Sequence, residues 1–151
     1  MSATHDVIGL VVELDELRPM ASHPEPWIRF MLGTCDLVAS YLPDEGRRAI
    51  AAARRYWVDG EGSRADLQKS WDECWSNYQE LSPEARETEK SAIAVRAAIL
   101  VLFPNFNNDN GLDLLELFLG LLKRVRDISS EEVQILHELF AEVWRDLPGQ
   151  K

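Results

Sequence analysis

The chain of 151 residues, 46% hydrophobic and 28% charged, has the size and balance of one folded domain spanning 1–151. Sixteen Lys and Arg against twenty-six Asp and Glu give a net charge of −10, with 8 basic and 13 acidic residues in each of 1–75 and 76–151. That charge opposes binding to nucleic acid, where affinity comes from Lys and Arg displacing counterions, and it suits a basic protein partner.

Apolar residues recur at three and four along almost the whole chain, which predicts helices. In "DVIGLVVELDELRP", Val7, Leu10, Val11, Leu14 and Leu17 share a face; Asp6 is placed to cap the start and Pro19 to end it, although "VIGLVV" alone also fits a strand. The second predicted helix opens with Pro26 in its first turn and runs to Pro43, with Trp27, Phe30, Met31, Thr34, Leu37, Val38 and Tyr41 inward. The third, "DEGRRAIAAARRYWV", turns Ile50, Ala53 and Trp57 inward and breaks at "DGEGS". Ser63 with Asp66 is a near capping box for the fourth, whose stripe is Leu67, Trp71, Cys74, Trp75 and Tyr78. Ser82 and Pro83 start the fifth, which becomes apolar all round in "AIAVRAAILVLF". The sixth, "GLDLLELFLGLLKRVR", carries one narrow polar stripe of Asp113, Glu116, Gly120 and Lys123. "SSEE" reads as a capping box from Ser129 to Glu132, opening a last helix with Val133, Leu136, Leu139, Phe140, Val143 and Trp144 inward. The expected fold is an all-α, single-domain bundle of about seven helices around a central buried hairpin, the fifth and sixth, with short loops joining antiparallel neighbours.

Chemistry is sparse. Of His5, His23 and His137, only His137 lies in a predicted helix, and Val133 and Ala141 stand four residues either side of it. No Glu-x-x-His or His-Glu-x-x-His pair occurs. Cys35 and Cys74 lie on apolar stripes, where a thiol packs as a small hydrophobe. The expectation is therefore a protein that is not an enzyme, with no catalytic residue, metal site or cofactor. Residues 1–20 lack a basic n-region, and no apolar run reaches the ~18–20 residues needed to span a bilayer. No membrane association is expected; the chain is expected in the cytoplasm with both thiols reduced.

Two stretches stand apart. "NFNNDNGLDLLE", 105–116, follows one apolar run and leads into another. With Asn105 at position 1 of an EF-hand register, Asn107, Asp109, Gly111, Asp113 and Glu116 fall on ligand positions, but Asn105 removes a charge and Asn110 stands where the sharp turn needs Gly. The same residues also make Asx-turns, with Asp109 or Asn110 capping the sixth helix and Asp113 and Glu116 near its positive end. Phe106 then either folds back on the bundle or waits for a partner. Arg47, Arg48, Arg54 and Arg55 form the second stretch, a strip that either pairs with acids such as Asp66, Asp72 and Glu73 or takes an acidic ligand.

"RRAIAAARRYWVDGEGSRADLQKSWDECW", residues 47–75, resembles all-helical bacterial immunity proteins of polymorphic toxin systems: an arginine-opened, alanine-rich helix ends in a Trp, and a short Gly-containing turn leads into a new helix. The resemblance implies a small cytoplasmic protein that binds one cognate toxin and blocks its active site or substrate groove. Against a toxin with a basic cleft, the expected contacts are Asp59 and Glu61 in the "VDGEGS" turn, Asp109 and Asp113 at the hairpin tip, and Glu138 and Glu142 on the last helix. Phe106 is the expected hot spot, since such positions favour aromatic residues and Arg. A helical adaptor or inhibitor of another class, or a degenerate calcium-binding protein, is the alternative.

Overall fold

A computed structural model describes residues 3–106 and 110–148, with side chains from residue 7 onward. The described residues form eight α-helices and two single 3-10 turns: α1 (Ala3–Leu17), α2 (Pro24–Leu37), α3 (Asp44–Trp57), α4 (Arg64–Gln79), α5 (Pro83–Thr88), α6 (Lys90–Leu102), α7 (Gly111–Val125) and α8 (Ser129–Leu139), with the 3-10 turns at Ala39–Tyr41 and Trp144–Asp146. The "VIGLVV" segment is helical, and Val7, Val11 and Leu14 are its buried face.

Three expected helices are shorter than the apolar pattern implies. The second ends at Leu37, because Leu42 precedes Pro43 and is held extended (φ −76°, ψ 133°), so the chain reaches it through a tighter 3-10 turn. Arginines take up carbonyls near the break: Arg126 Nη2 donates to Leu37 O (3.3 Å) and Arg47 Nε to Ala39 O (3.3 Å). The expected fifth helix is two, α5 and α6, divided at the extended Glu89 (φ −81°, ψ 125°). The polar run 86–91 has no apolar residue to hold that turn in line. Thr88 Oγ1 donates back to Glu84 O (2.8 Å), a bond that weakens a helix, and Arg124 Nη2 donates to Glu87 O (2.5 Å). The last helix stops at Leu139, and the chain continues through Phe140 to the second 3-10 turn.

The centre of the bundle is α6, which packs against α2, α3, α4, α5 and α7 and buries every residue from Ala92 to Val95. Close approach to α3 depends on small residues. Gly46 is the clearest case: an added Cβ would lie 2.9 Å from Leu42 Cδ2 and 3.4 Å from Val95 Cγ2. The expected central hairpin is therefore half enclosed. Its second arm, α7, buries Leu115, Phe118, Leu119, Leu121 and Leu122 but keeps one open face, where Leu117 is 48% exposed and an added Cβ at Gly120 would meet nothing within 4 Å.

Polar anchors fix the helix ends. The Ser63–Asp66 capping box forms in full: Asp66 N donates to Ser63 Oγ (3.2 Å) and Ser63 N to Asp66 Oδ2 (3.1 Å). Trp27 Nε1 donates to Arg18 O (2.9 Å), tying α2 to the end of α1, and Trp57 Nε1 donates to Leu102 O (3.0 Å), tying the end of α3 to the end of α6. Both cysteines are free and buried. Burial pushes the Cys35 thiol far up and that of Cys74 up to about 12, so neither is a thiolate at neutral pH.

Candidate functional site

The topology gathers one set of connections at one end of the bundle. There the end of α3 meets the end of α6 through Trp57, and Arg64 at the start of α4 lies 5.3 Å from the Phe103 ring. The end of α1 borders the start of α7 in a pocket lined by Asp15, Pro19, Met20, Phe106 and Gly111. Trp27 of α2 packs at a tilt against Phe140 just past α8 (4.7 Å between ring centres), and Arg18 reaches Glu142 (3.7 Å). Asp59, Glu61, Asp113, Glu138 and Glu142 therefore all stand at this end, and all are exposed. Asp59 and Glu61 are held by backbone bonds to the end of α3, Asp59 N to Arg54 O (3.1 Å) and Glu61 N to Arg55 O (2.8 Å). Gly60 and Gly62, at φ 69° and 79°, supply the left-handed backbone this tight turn requires. Among the described residues, Asp59, Glu61 and Asp113 make no ion pair, and Glu138 accepts only from Gln134 on its own helix (3.2 Å).

Phe106 does not belong with them. It is 3% exposed and folds back onto the bundle near Met20 and Gly111, so the expected hot spot is a core side chain. The ring packs beside Gly111, which opens α7, and an added Cβ there would lie 3.5 Å from the ring, an ordinary contact, and 3.2 Å from Met20 Sδ. Asp109 and Asn107 lie outside the described residues. The EF-hand register fits poorly with what is described. Gly111 is already the first residue of α7, and Glu116 lines a pocket with Val7 and Glu132 farther down that helix. No group of three or more potential metal ligands occurs among the described residues.

The arginine strip is largely paired. Arg47 bonds Asp44 (3.2 Å), Arg48 bonds Glu73, and Arg54 bonds Asp36 (2.7 Å). Glu73 was among the expected partners; Asp44 and Asp36 were not. Arg55 is exposed, makes no ion pair among the described residues, and stands beside the Asp59–Glu61 turn.

A second site was hidden in "DISSEE". The expected Ser129–Glu132 capping box does not form. Instead Asp127 takes Ser129, accepting from its backbone N (3.1 Å) and its Oγ (2.6 Å), and α8 starts at Ser129 with Ile128 as its cap position. An acid two residues upstream outcompetes the box by making an Asx-turn. Those two bonds hold the Asp127 carboxyl below its usual range. Glu132 is left without a capping role and turns inward. It is 5% exposed, and among the described residues its Oε2 has no hydrogen-bond partner. It sits in a pocket of about 280 Å³ between α1, α7 and α8, walled by Val7, Ile8, Leu119 and Ile128. Desolvation by burial first, then the charges of Asp127 and Glu131, push its carboxyl up to about 8.

No protein-family model, curated protein or solved structure matches the chain. Among the described residues no helix is long and apolar enough to cross a membrane.

Proposed function

We propose that the chain is a non-enzymatic, acidic protein-binding module, an immunity protein that binds and neutralises a cognate toxin with a basic cleft. The observation that supports this reading is the placement of Asp59, Glu61, Asp113, Glu138 and Glu142 at one end of the bundle, exposed and carried on anchored helix ends. Acidic groups on rigid supports attract a basic partner through complementary fields and raise its on-rate. The net charge of −10 acts in the same direction. With Phe106 buried, the hot-spot role falls to Arg55, an exposed guanidinium beside the acidic turn and of a residue type enriched at such positions.

The test is co-expression with a toxin encoded immediately upstream of this chain. The expected result is restored growth and a complex at submicromolar concentration whose association slows with salt. Replacing Asp59, Glu61, Glu138 and Glu142 together by Lys is expected to slow association at least tenfold. Absence of rescue together with absence of a complex at micromolar concentration overturns the proposal.

A further inference from the structure

The pocket beneath Glu132 lies at the opposite end of the bundle from the acidic connections, where the start of α1 meets the ends of α7 and the start of α8. Its walls are mainly apolar, its floor is a carboxyl group whose Oε2 has no partner among the described residues, and its rim carries Glu116 and Lys123. Gly120 leaves its side open, since an added Cβ there would touch nothing within 4 Å. At about 30 Å³ per water-sized group, the 280 Å³ hold roughly nine such groups, enough for a short aliphatic chain and too little for a drug-sized ligand.

The surrounding charge selects the head group. Among the described residues the pocket is lined from α7 by Glu116 and Lys123, from α8 by Ser129 and Glu132 and from α1 by the apolar Val7 and Ile8, while Asp127 and Glu131 act on Glu132 through their charge. Glu131 is partly offset by Arg126 (3.2 Å). Four carboxyls against Lys123 and that shared arginine make the pocket hostile to an anion and favourable to a cation. A buried carboxyl without a partner is costly, and a charge-assisted bond to an ammonium group removes that cost. We propose that this pocket is a binding site for a small primary alkylammonium ion, its –NH3+ donating to Glu132 Oε2 and its aliphatic stem lying against Val7, Ile8, Leu119 and Ile128. On binding, a protonated Glu132 releases its proton to the solvent, and the amine stays charged. This site is independent of the acidic end and of any toxin.

The experiment uses n-butylammonium chloride as the probe, with n-butanol as the neutral isostere, followed by NMR shifts of the Ile8, Leu119 and Ile128 methyl groups. The expected result is saturable binding of butylammonium, at least tenfold tighter than butanol, strengthening as pH rises from 6 to 8. Glu132→Gln, which keeps the shape of the side chain, is expected to weaken it at least tenfold. Gly120→Leu, which fills the pocket and leaves Glu132 untouched, is expected to abolish it. Equal affinity for amine and alcohol, unchanged affinity in Glu132→Gln, or no methyl shifts at all in the folded wild type would each overturn the proposal.

Discussion

Glu132 makes the stability of this protein depend on pH in a direction opposite to that of most carboxylates. In the unfolded chain its carboxyl titrates near 4.5; in the folded protein it is raised to about 8, chiefly by burial and then by Asp127 and Glu131. Below pH 4.5 both states hold the proton, and the group's contribution to folding is fully present. Between 4.5 and about 8 the folded state keeps a proton that the unfolded state has lost. Stability then falls with rising pH by about 1.4 kcal/mol per pH unit, and above 8 the loss is complete. Over that window the loss is on the order of 5 kcal/mol, from the pH span multiplied by that slope. Glu132→Gln removes the titrating group and keeps the shape. Urea denaturation followed by tryptophan fluorescence, repeated from pH 5 to 9 on both proteins, isolates the effect, because the other carboxylates cancel in the difference. The two proteins are expected to be close in stability near pH 5, with the variant pulling ahead by several kcal/mol at pH 9. A difference that stays constant across the range would refute the reasoning, since it would mean that Glu132 titrates alike in both states.

Three other outcomes test the packing. Gly46→Ala forces a methyl group to 2.9 Å from Leu42 in a filled core, and overpacking of about 1–3 kcal/mol should outweigh the gain in helix propensity of up to about 1 kcal/mol; Gly120→Ala has open space and should gain about 1 kcal/mol, so thermal melts of the two should shift in opposite directions. Ser63→Ala removes the side chain that accepts from Asp66 N and should cost about 1 kcal/mol in denaturant titration, while Ser82→Gly, also at a cap position, should cost only a few tenths. Cys35 and Cys74 are buried with raised thiol pKa, so a thiol reagent at pH 8 should leave both unmodified in the folded protein and label both in denaturant.

Helices and buried faces were legible in this sequence because apolar spacing records them directly. Trp27, Phe30 and Met31, Leu67 and Cys74, and the nearly continuous apolar run of α6 are buried as their periodicity implies. The Ser63–Asp66 box was equally readable: the acid two residues before Ser63 is Glu61, and Asx-turns are made by Asp and Asn. The breaks were less so. Pro43 marks its own position but not the 3-10 turn before it, and the division at Glu89 depends on Arg124 arriving from α7 to bond Glu87 O, a contact separated by 37 residues. Phe106 failed for a related reason. Its immediate neighbours along the chain, Asn105 and Asn107, are polar, while Met20, beside it in the fold, lies 86 residues away in the sequence. Glu132 is the most instructive case, because a usable signal was present: Asp127 precedes Ser129 by the spacing of an Asx-turn, and that rival to the capping box could have been weighed from "DISSEE" alone.

The acidic residues at the connected end and Glu132 have opposite energetics. Those at the connected end remain in water, where their charge costs little. Glu132 has left water without acquiring a partner among the described residues, and at pH above 8 it removes stability on the order of 5 kcal/mol, comparable with the whole stability of many domains at about 5–15 kcal/mol. A Leu or Gln in the same place would fold at least as well, so packing gives no reason for a carboxyl there. Local consistency fails in proteins chiefly where a site needs it to fail, and the failure here coincides with a pocket. Each feature has its own cause. Asp127 captures Ser129 and releases Glu132 from the cap, while Gly120 withholds the side chain that would have filled the space beside it. A cation that enters that space converts the most destabilising carboxyl in the described structure into a paired one, so the same group that weakens the empty protein at high pH would hold the ligand most firmly there.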